Sequence, residues 1–371
     1  MDLVPLLQAL VALDTTSARS NLPALDLLEG EARGLGFKTR RAVWTDAAGV
    51  QKGNLICRRG PDGPGGLALL GHTDCVPYDP EWREALAGAL RDGRVIGRGA
   101  ADTKGFLAAA LSAAGRARER SAPLTLVFTA DEEVGCLGAK ELLSEGQVRP
   151  RHAIVGEPTG LVPVRAHKGY CAVDVEVSGL EGHSAYPEVG ASAIHAVGRL
   201  WPELERIGEE LRKKTDPAFS PPFTTWNVGV LTGGKARNII AGHCHFTYEW
   251  RPLPGQDPER ALRLLGEACA RAEAASGGRV RFVVGPLKSD AAAVTPPEAE
   301  LVRFLEAESG HAATTVPFGT ELPEVIEIGA EACVFGPGDI RVAHRTGEHV
   351  LVAELERAAA ILARAIERFC A

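Results

Sequence analysis

Three short β-rich apolar runs, Leu67–Leu70, Leu124–Phe128 and Ala153–Val155, each stop at a cluster of ionisable residues. His72 and Asp74 follow the first, Asp131, Glu132 and Glu133 the second, and Glu157 the third. Helical patterns fit between them: Thr103–Glu119, with an Ala/Leu face, and Ala139–Ser144. Short β-rich runs alternating with helical segments are the pattern of a mostly parallel sheet covered by helices, so the expected fold class is α/β. A fourth run, Ala332–Phe335, leads through GPGDIRVAHR to His344, and Val352–Phe369 closes the chain as an amphipathic helix.

The middle of the chain breaks this alternation. Cys171–Val177 alternates apolar and polar residues, a long helical pattern covers Ser192–Arg212, and further strands are expected at Thr224–Leu231 and His243–Trp250. A helix, Pro258–Ala275, and a strand, Arg279–Val284, complete the order β-α-β-β-α-β of a ferredoxin-like unit. At about 150 residues per domain, 371 residues accommodate two. We expect a discontinuous first domain, residues 1–167 and 286–371, with residues 168–285 inserted and Pro163 and Pro286 near the crossings.

Hydrophobic residues are 45% and charged residues 24%, which excludes disordered and fibrous classes. With 41 Lys+Arg against 48 Asp+Glu, the formal net charge of −7 repels phosphate backbones and anionic membrane surfaces. Neither nucleic acid nor a membrane is expected as a partner. The opening MDLVPLLQALVAL carries Asp2 where a signal peptide would be basic and lacks a small-residue cleavage site, so it reads as an amphipathic helix. No apolar run approaches the roughly 18 residues that span a bilayer. Eight cysteines (Cys57, Cys75, Cys136, Cys171, Cys244, Cys269, Cys333, Cys370) lie far apart with no CxxC pair, the usage of reduced core thiols. The expected compartment is the cytoplasm.

In an open α/β sheet, ligands bind outside the carboxyl ends of the strands. There the chain gathers His72, Asp102, Glu132, Glu133, Glu157 and His344, oxygen and imidazole donors without a thiolate. Such a set suits Zn²⁺ or a neighbouring divalent ion in a hydrolytic site, whereas structural zinc favours cysteine. A carboxylate between two ions can bridge them at about 3.5–4 Å, an arrangement that polarises a carbonyl and generates hydroxide near neutral pH. Singly these features are ordinary, since a lone histidine commonly packs and paired acids cap helix N-termini. Their convergence on four strand ends points to a site. A nucleotide site is disfavoured: TGGKARN (Thr232–Asn238) lacks P-loop spacing, and no GxGxxG opens a helix after the first strand.

Six segments carry a family resemblance: GHTDCVP (Gly71–Pro77), GRGAADTKG (Gly97–Gly105), TADEEVG (Thr129–Gly135), VGEPTG (Val155–Gly160), GHSAYP (Gly182–Pro187) and GPGDIRVAH (Gly336–His344). In that order, and over nearly the whole chain, they resemble the co-catalytic zinc family that contains acetylornithine deacetylase, succinyl-diaminopimelate desuccinylase, aminoacylase and bacterial glutamate carboxypeptidase. The resemblance implies a zinc-peptidase-like catalytic domain with an inserted lid and dimerisation domain, and two Zn²⁺ per subunit, with Co²⁺ as an alternative. By resemblance, His72 and Glu157 hold one ion, Glu133 and His344 the other, and Asp102 bridges them. Asp74 is then the carboxylate that fixes the His72 tautomer, and Glu132 the general base. His183, in the inserted domain, is expected to reach the partner subunit's site and stabilise an oxyanion, making a homodimer part of the design.

The resemblance also assigns substrate contacts. Asn238 and Arg251 look like lid residues that bind an α-carboxylate, for which a guanidinium fork is suited. FGTELP (Phe318–Pro323) resembles the GTE loop of deacetylases, which makes Gly319, Thr320 and Glu321 substrate-binding residues, Thr320 toward the carboxylate and Glu321 toward a polar or cationic side chain. Trp82 lies outside the family's W-x-x-x-P-F pattern, Cys75 replaces an aliphatic residue, and GTEL stands for GTEA, departures that touch the substrate rim more than the metal ligands. The expected activity is removal of an acyl group, foremost acetyl from N2-acetyl-L-ornithine in arginine biosynthesis. Acetylcitrulline, succinyl-diaminopimelate and dipeptide or acyl-amino-acid substrates are the alternatives within the class. An acyl-amino-acid or peptide-binding protein without catalysis is the alternative outside it.

Overall fold

The computed structural model describes residues 2–117, 121–145 and 148–371. Met1 and Glu119, at the ends of two expected helices, lie outside the described residues. The chain divides into two compact units, Met1–Ala166 with Ala293–Thr314 and Thr320–Ala371, and His167–Ala292 with Thr315–Gly319. The second unit therefore runs past the expected exit at residue 285. Its sheet keeps the chain there, because Lys288–Asp290 pairs antiparallel with the first strand of that unit, Ser289 facing Cys171.

In the first unit the strands order as Lys38–Thr45, Gln51–Arg59, Leu124–Thr129, Leu67–His72, His152–Val155, Glu331–Val334, Val164–His167 and Ala293–Val294. The four central strands pair in parallel, and those flanking them, Gln51–Arg59 and Val164–His167, run antiparallel. Leu67–His72, Leu124–Thr129 and His152–Val155 are buried along their whole length, as strands covered on both faces must be. The helices Gly105–Arg116 and Val352–Phe369 pack together beside the sheet. Val352–Phe369 has the expected bounds and buries Leu355, Ala358, Ala359, Leu362, Ala365, Ile366 and Phe369, an i, i+3, i+4 stripe facing the core. The helix expected from Thr103 starts regularly only at Gly105, because Asp102 adopts extended backbone (φ −118°, ψ 90°) within the preceding turn.

The second unit has the expected order of elements. Its strands are Tyr170–Ser178, Thr225–Gly233, His243–Arg251 and Arg281–Val284, and its helices Ala193–Arg212 and Arg260–Ala275. Thr225–Gly233 lies at one edge, then His243–Arg251, Tyr170–Ser178 and Arg281–Val284, all antiparallel, which is the ferredoxin-like arrangement. Cys244, Phe246, Tyr248 and Trp250 alternate inward toward the helices. Ser192 caps the long helix by accepting the His195 N–H at 3.2 Å.

None of the eight cysteines is in a disulfide, and all are buried. Burial pushes the thiols of Cys57, Cys171 and Cys269 up to about 12 and that of Cys75 up to about 11. Among the described residues no helix is long and apolar enough to cross a membrane. Leu362 is fully buried in the main core. Leu362→Ala should destabilise the first unit by about 2–5 kcal/mol, read as a lower midpoint in urea denaturation followed by circular dichroism.

Candidate metal centre

The parallel register converts three separate sequence clusters into one site. His72 pairs with Thr129 across one strand boundary, and Leu70 with Val155 across the other, so the carboxyl ends of three strands lie at one edge. The chain leaving Thr129 carries Glu132 and Glu133, and the chain leaving Val155 carries Glu157. Gly156 has no room for a side chain, since a Cβ there would meet the Phe106 ring at 2.0 Å. That contact sets Phe106, one residue into the Gly105–Arg116 helix, against the turn that presents Glu157.

Asp102 lies at the middle of the site. Its Oδ1 is 3.1 Å from His72 Nε2 and its Oδ2 is 3.1 Å from His344 Nε2. Glu157 Oε1 is 4.0 Å from the same His72 nitrogen, and Glu133 Oε1 is 3.1 Å from His344 Nε2. Two donor groups result, His72–Asp102–Glu157 and Asp102–Glu133–His344, with donor atoms within 4.8 Å of one another in each and Asp102 common to both. His72, Asp102 and Glu157 are buried, while the His344 side chain is 49% exposed and therefore opens its group toward solvent.

Asp74 does something other than the tautomer contact expected of it. His72 Nδ1 lies 3.0 Å from the main-chain carbonyl of Asp74 and 3.7 Å from its carboxylate. The carbonyl can thus accept a hydrogen bond from Nδ1–H and leave Nε2 to face Asp102. The Asp74 carboxylate instead accepts the main-chain N–H of Glu132 at 3.1 Å and of Glu133 at 3.4 Å, with the Ser17 hydroxyl at 2.7 Å. It holds the turn on which both glutamates ride. Asp131 and His344 have left-handed backbone (φ 56° and 59°), a conformation costing about 1–3 kcal/mol for residues other than glycine. Asp131 is pinned by the buried Lys52, whose Nζ donates to its carboxylate at 2.7 Å and to the carbonyls of Ser17 and Arg19. Lys52 was missed from sequence; its only signal is a lone lysine inside the buried strand Gln51–Arg59.

The electrostatics fit a cation. Burial pushes the Glu132 carboxyl well up, with Glu133, Glu321 and Asp102 adding to the effect and His72 opposing it. Burial likewise raises Glu157 well above the carboxylate range, aided by Asp102 and Glu132. Burial also works against ionised Asp102, but hydrogen bonds with His344 and His72 hold its carboxyl well below the usual range. Contacts with Asp102 and Glu133 push His344 up to about 10. Carboxylates outnumber imidazoles in this low-dielectric pocket, and the excess negative charge is what one or more divalent ions would neutralise.

The remaining expected residues fall in different places. Thr320 is buried, and its hydroxyl accepts the Leu322 N–H at 3.1 Å, at the start of a short helix. Glu321 is fully buried, neither carboxylate oxygen finds a hydrogen-bond partner among the described residues, and burial pushes it up to about 7. The Glu321 carboxylate adds to the upward push on Glu132. Gly319 ends the segment assigned to the second unit. Within that unit Gly182–His183 pairs with Ile239–Ile240, and Ser184 N–H donates to the Asn238 carbonyl at 3.1 Å, so His183 and Asn238 are neighbours. Arg251 ends its strand with its guanidinium 5.1 Å from the Tyr170 ring centroid and its Nε 3.5 Å from Glu249.

A parallel sheet presenting oxygen and nitrogen donors around one shared carboxylate has the form of a metallohydrolase, and comparison with known proteins gives that class a family. The chain belongs to peptidase family M20/M25/M40, whose pattern matches residues 68–368, and is thereby a metal-dependent hydrolase of amides. It is 53% identical to acetylornithine deacetylase of Myxococcus xanthus, over 100% of this chain and 99% of the relative. It is 34% identical to acetylornithine deacetylase of Proteus mirabilis, over 97% and 93% of the two chains. Its fold superposes on an M20 family metallo-carboxypeptidase from Sulfolobus solfataricus with a TM-score of 0.78 at 18% identity, covering 99% of both chains.

Binding of a cation that the unfolded chain does not hold stabilises the fold by about 2.7 kcal/mol at a hundredfold excess over Kd. Adding Zn²⁺ to chelator-stripped protein should therefore raise Tm in a thermal melt. Asp102→Asn should remove most of that rise.

Proposed function

We propose that this chain is a dinuclear metal amidohydrolase that converts N2-acetyl-L-ornithine to L-ornithine and acetate, in the cytoplasm, as a step of arginine biosynthesis. The observation that carries the substrate is the 53% identity to an acetylornithine deacetylase along the full chain. Two donor groups sharing Asp102 support two ions, and an imidazole beside carboxylates in each group suits catalytic zinc, with cobalt as the alternative. His72 and Glu157 would hold one ion and Glu133 and His344 the other, with Asp102 between them. Ions bound there supply Lewis acidity toward the amide carbonyl and a water of lowered pKa.

The protein's own groups do the rest. Glu132 takes the proton of the attacking water and returns it to the leaving amine, a division of labour that adjacent glutamates allow because Glu133 is committed to an ion. Asp74 keeps both in place by accepting their main-chain N–H groups. The inserted unit acts as lid and dimerisation domain, and His183 donates to the developing oxyanion in the partner's site. Asn238, Arg251 and Thr320 receive the α-carboxylate, Gly319 lies in the same substrate-binding loop, and Glu321 faces the substrate's cationic side chain. Acetylcitrulline, succinyl-diaminopimelate and dipeptides are the competing substrates of the same chemistry.

Glu132→Ala should lower kcat by about 10²–10⁴-fold with metal content unchanged by elemental analysis; substantial residual turnover would remove Glu132 as the base. Amine release from a panel of acetylornithine, acetylcitrulline, acetylmethionine, succinyl-diaminopimelate and a dipeptide, with a chelator control, should rank acetylornithine first in kcat/KM. Mixing inactive Glu132→Ala and His183→Ala subunits after exchange should restore activity, since a mixed dimer then contains one intact site. No recovery would confine His183 to its own subunit.

A further inference from the structure

We infer that Arg98 and Glu348 form a buried clamp that positions Asp102 and thereby sets how tightly the His344 side of the centre holds its ion. The inference rests on the reading of Asp102 as the shared carboxylate. Glu348 is fully buried and Arg98 only 2% exposed. One carboxylate oxygen of Glu348 accepts the main-chain N–H of Ala101 and of Asp102, each at 3.1 Å. The other oxygen pairs with Arg98 Nη1. Arg98 is itself fixed, since Nη2 donates to the Pro77 carbonyl at 3.3 Å and the guanidinium lies 5.6 Å from the Trp82 ring centroid.

A buried ion pair is by itself weak evidence of anything beyond packing, because apolar residues often replace such pairs without loss. What distinguishes this one is where Glu348 spends its hydrogen bonds. They go to the peptide groups of Ala101 and Asp102, where the chain leaves helical geometry. Buried N–H groups at such a break need an acceptor from elsewhere in the chain, and the acceptor chosen fixes the backbone from which the Asp102 side chain departs. Glu348 also follows His344 by one short segment, which therefore touches Asp102 twice, through His344 at the carboxylate and through Glu348 at the main chain. Arg98 neutralises Glu348, so the clamp adds no net charge beside a cluster already rich in carboxylates. Because His344 is half exposed, its donor group depends most on Asp102 being held still.

The test uses metal-free full-length protein, with Zn²⁺ titrated by calorimetry, visible spectra recorded with Co²⁺, and the melting temperature of the metal-free form as a separate readout. Wild type should take up two ions. Glu348→Ala should weaken one of them by about 10–100-fold and change the Co²⁺ spectrum. Glu348→Gln alone should also weaken it, since its amide faces Arg98. The double variant Arg98→Met with Glu348→Gln keeps an oxygen for the two N–H groups without a buried unpaired charge, and should recover most of the affinity. A purely structural role would lower the melting temperature and leave both affinities and the spectrum at wild-type values. That result in Glu348→Ala, or in the two Gln variants should Glu348→Ala not fold, overturns the clamp. A wild-type protein that binds fewer than two ions overturns the reading of the centre instead.

Discussion

Both imidazoles of the centre lean on a single carboxylate, and most of the surrounding structure serves to make that sharing possible. Asp102 can present one oxygen to His72 and the other to His344 only because its backbone is extended where its neighbours are helical. The N–H groups exposed by that break must be satisfied by a buried acceptor, which Glu348 supplies. His344, for its part, is delivered in a left-handed backbone conformation from the loop after Glu331–Val334. The locally costly backbone at His344 is tolerated because the parallel sheet beneath the site fixes where every loop begins.

The parallel strands and the terminal helix were legible in the sequence because hydrophobic burial wrote them there. Leu67–His72 and Leu124–Thr129 are buried on both faces, so their sequence is continuously apolar, and Val352–Phe369 carries an uninterrupted helical stripe. Lys38–Thr45 was not legible, since this edge strand is half exposed and reads as KTRRAVWT, with basic residues at both kinds of position. Register does the rest: once the strands pair in parallel, the strand ends that lead to His72, Glu133 and Glu157 converge.

What escaped the sequence was the layer behind the donors. Lys52, Arg98 and Glu348 are charged residues whose partners lie dozens to hundreds of positions away, and nothing in local periodicity marks a charge that will be buried. Asp74 shows the same limit from another side. Its spacing from His72 suggested a contact with the ring, but the carboxylate turns instead to the N–H groups of Glu132 and Glu133, and its carbonyl takes the ring contact. Main-chain acceptors and donors carry no sequence signature, so a role performed by the backbone is invisible until the fold is seen. The exit of the second unit was misplaced for a related reason, since Lys288–Asp290 joins its sheet by main-chain pairing after a proline that looked like a boundary.

The buried thiols give the molecule an internal clock for its own opening. Cys57, Cys75, Cys136, Cys333 and Cys370 belong to the first unit, and Cys171, Cys244 and Cys269 to the second. A covered thiol reacts with an alkylating reagent only during excursions in which its surroundings come apart. Labelling resolved by peptide would then time the breathing of each unit separately, with Cys136, whose sulfur lies 3.9 Å from the Glu132 carboxylate, reporting on the turn that carries the centre's glutamates.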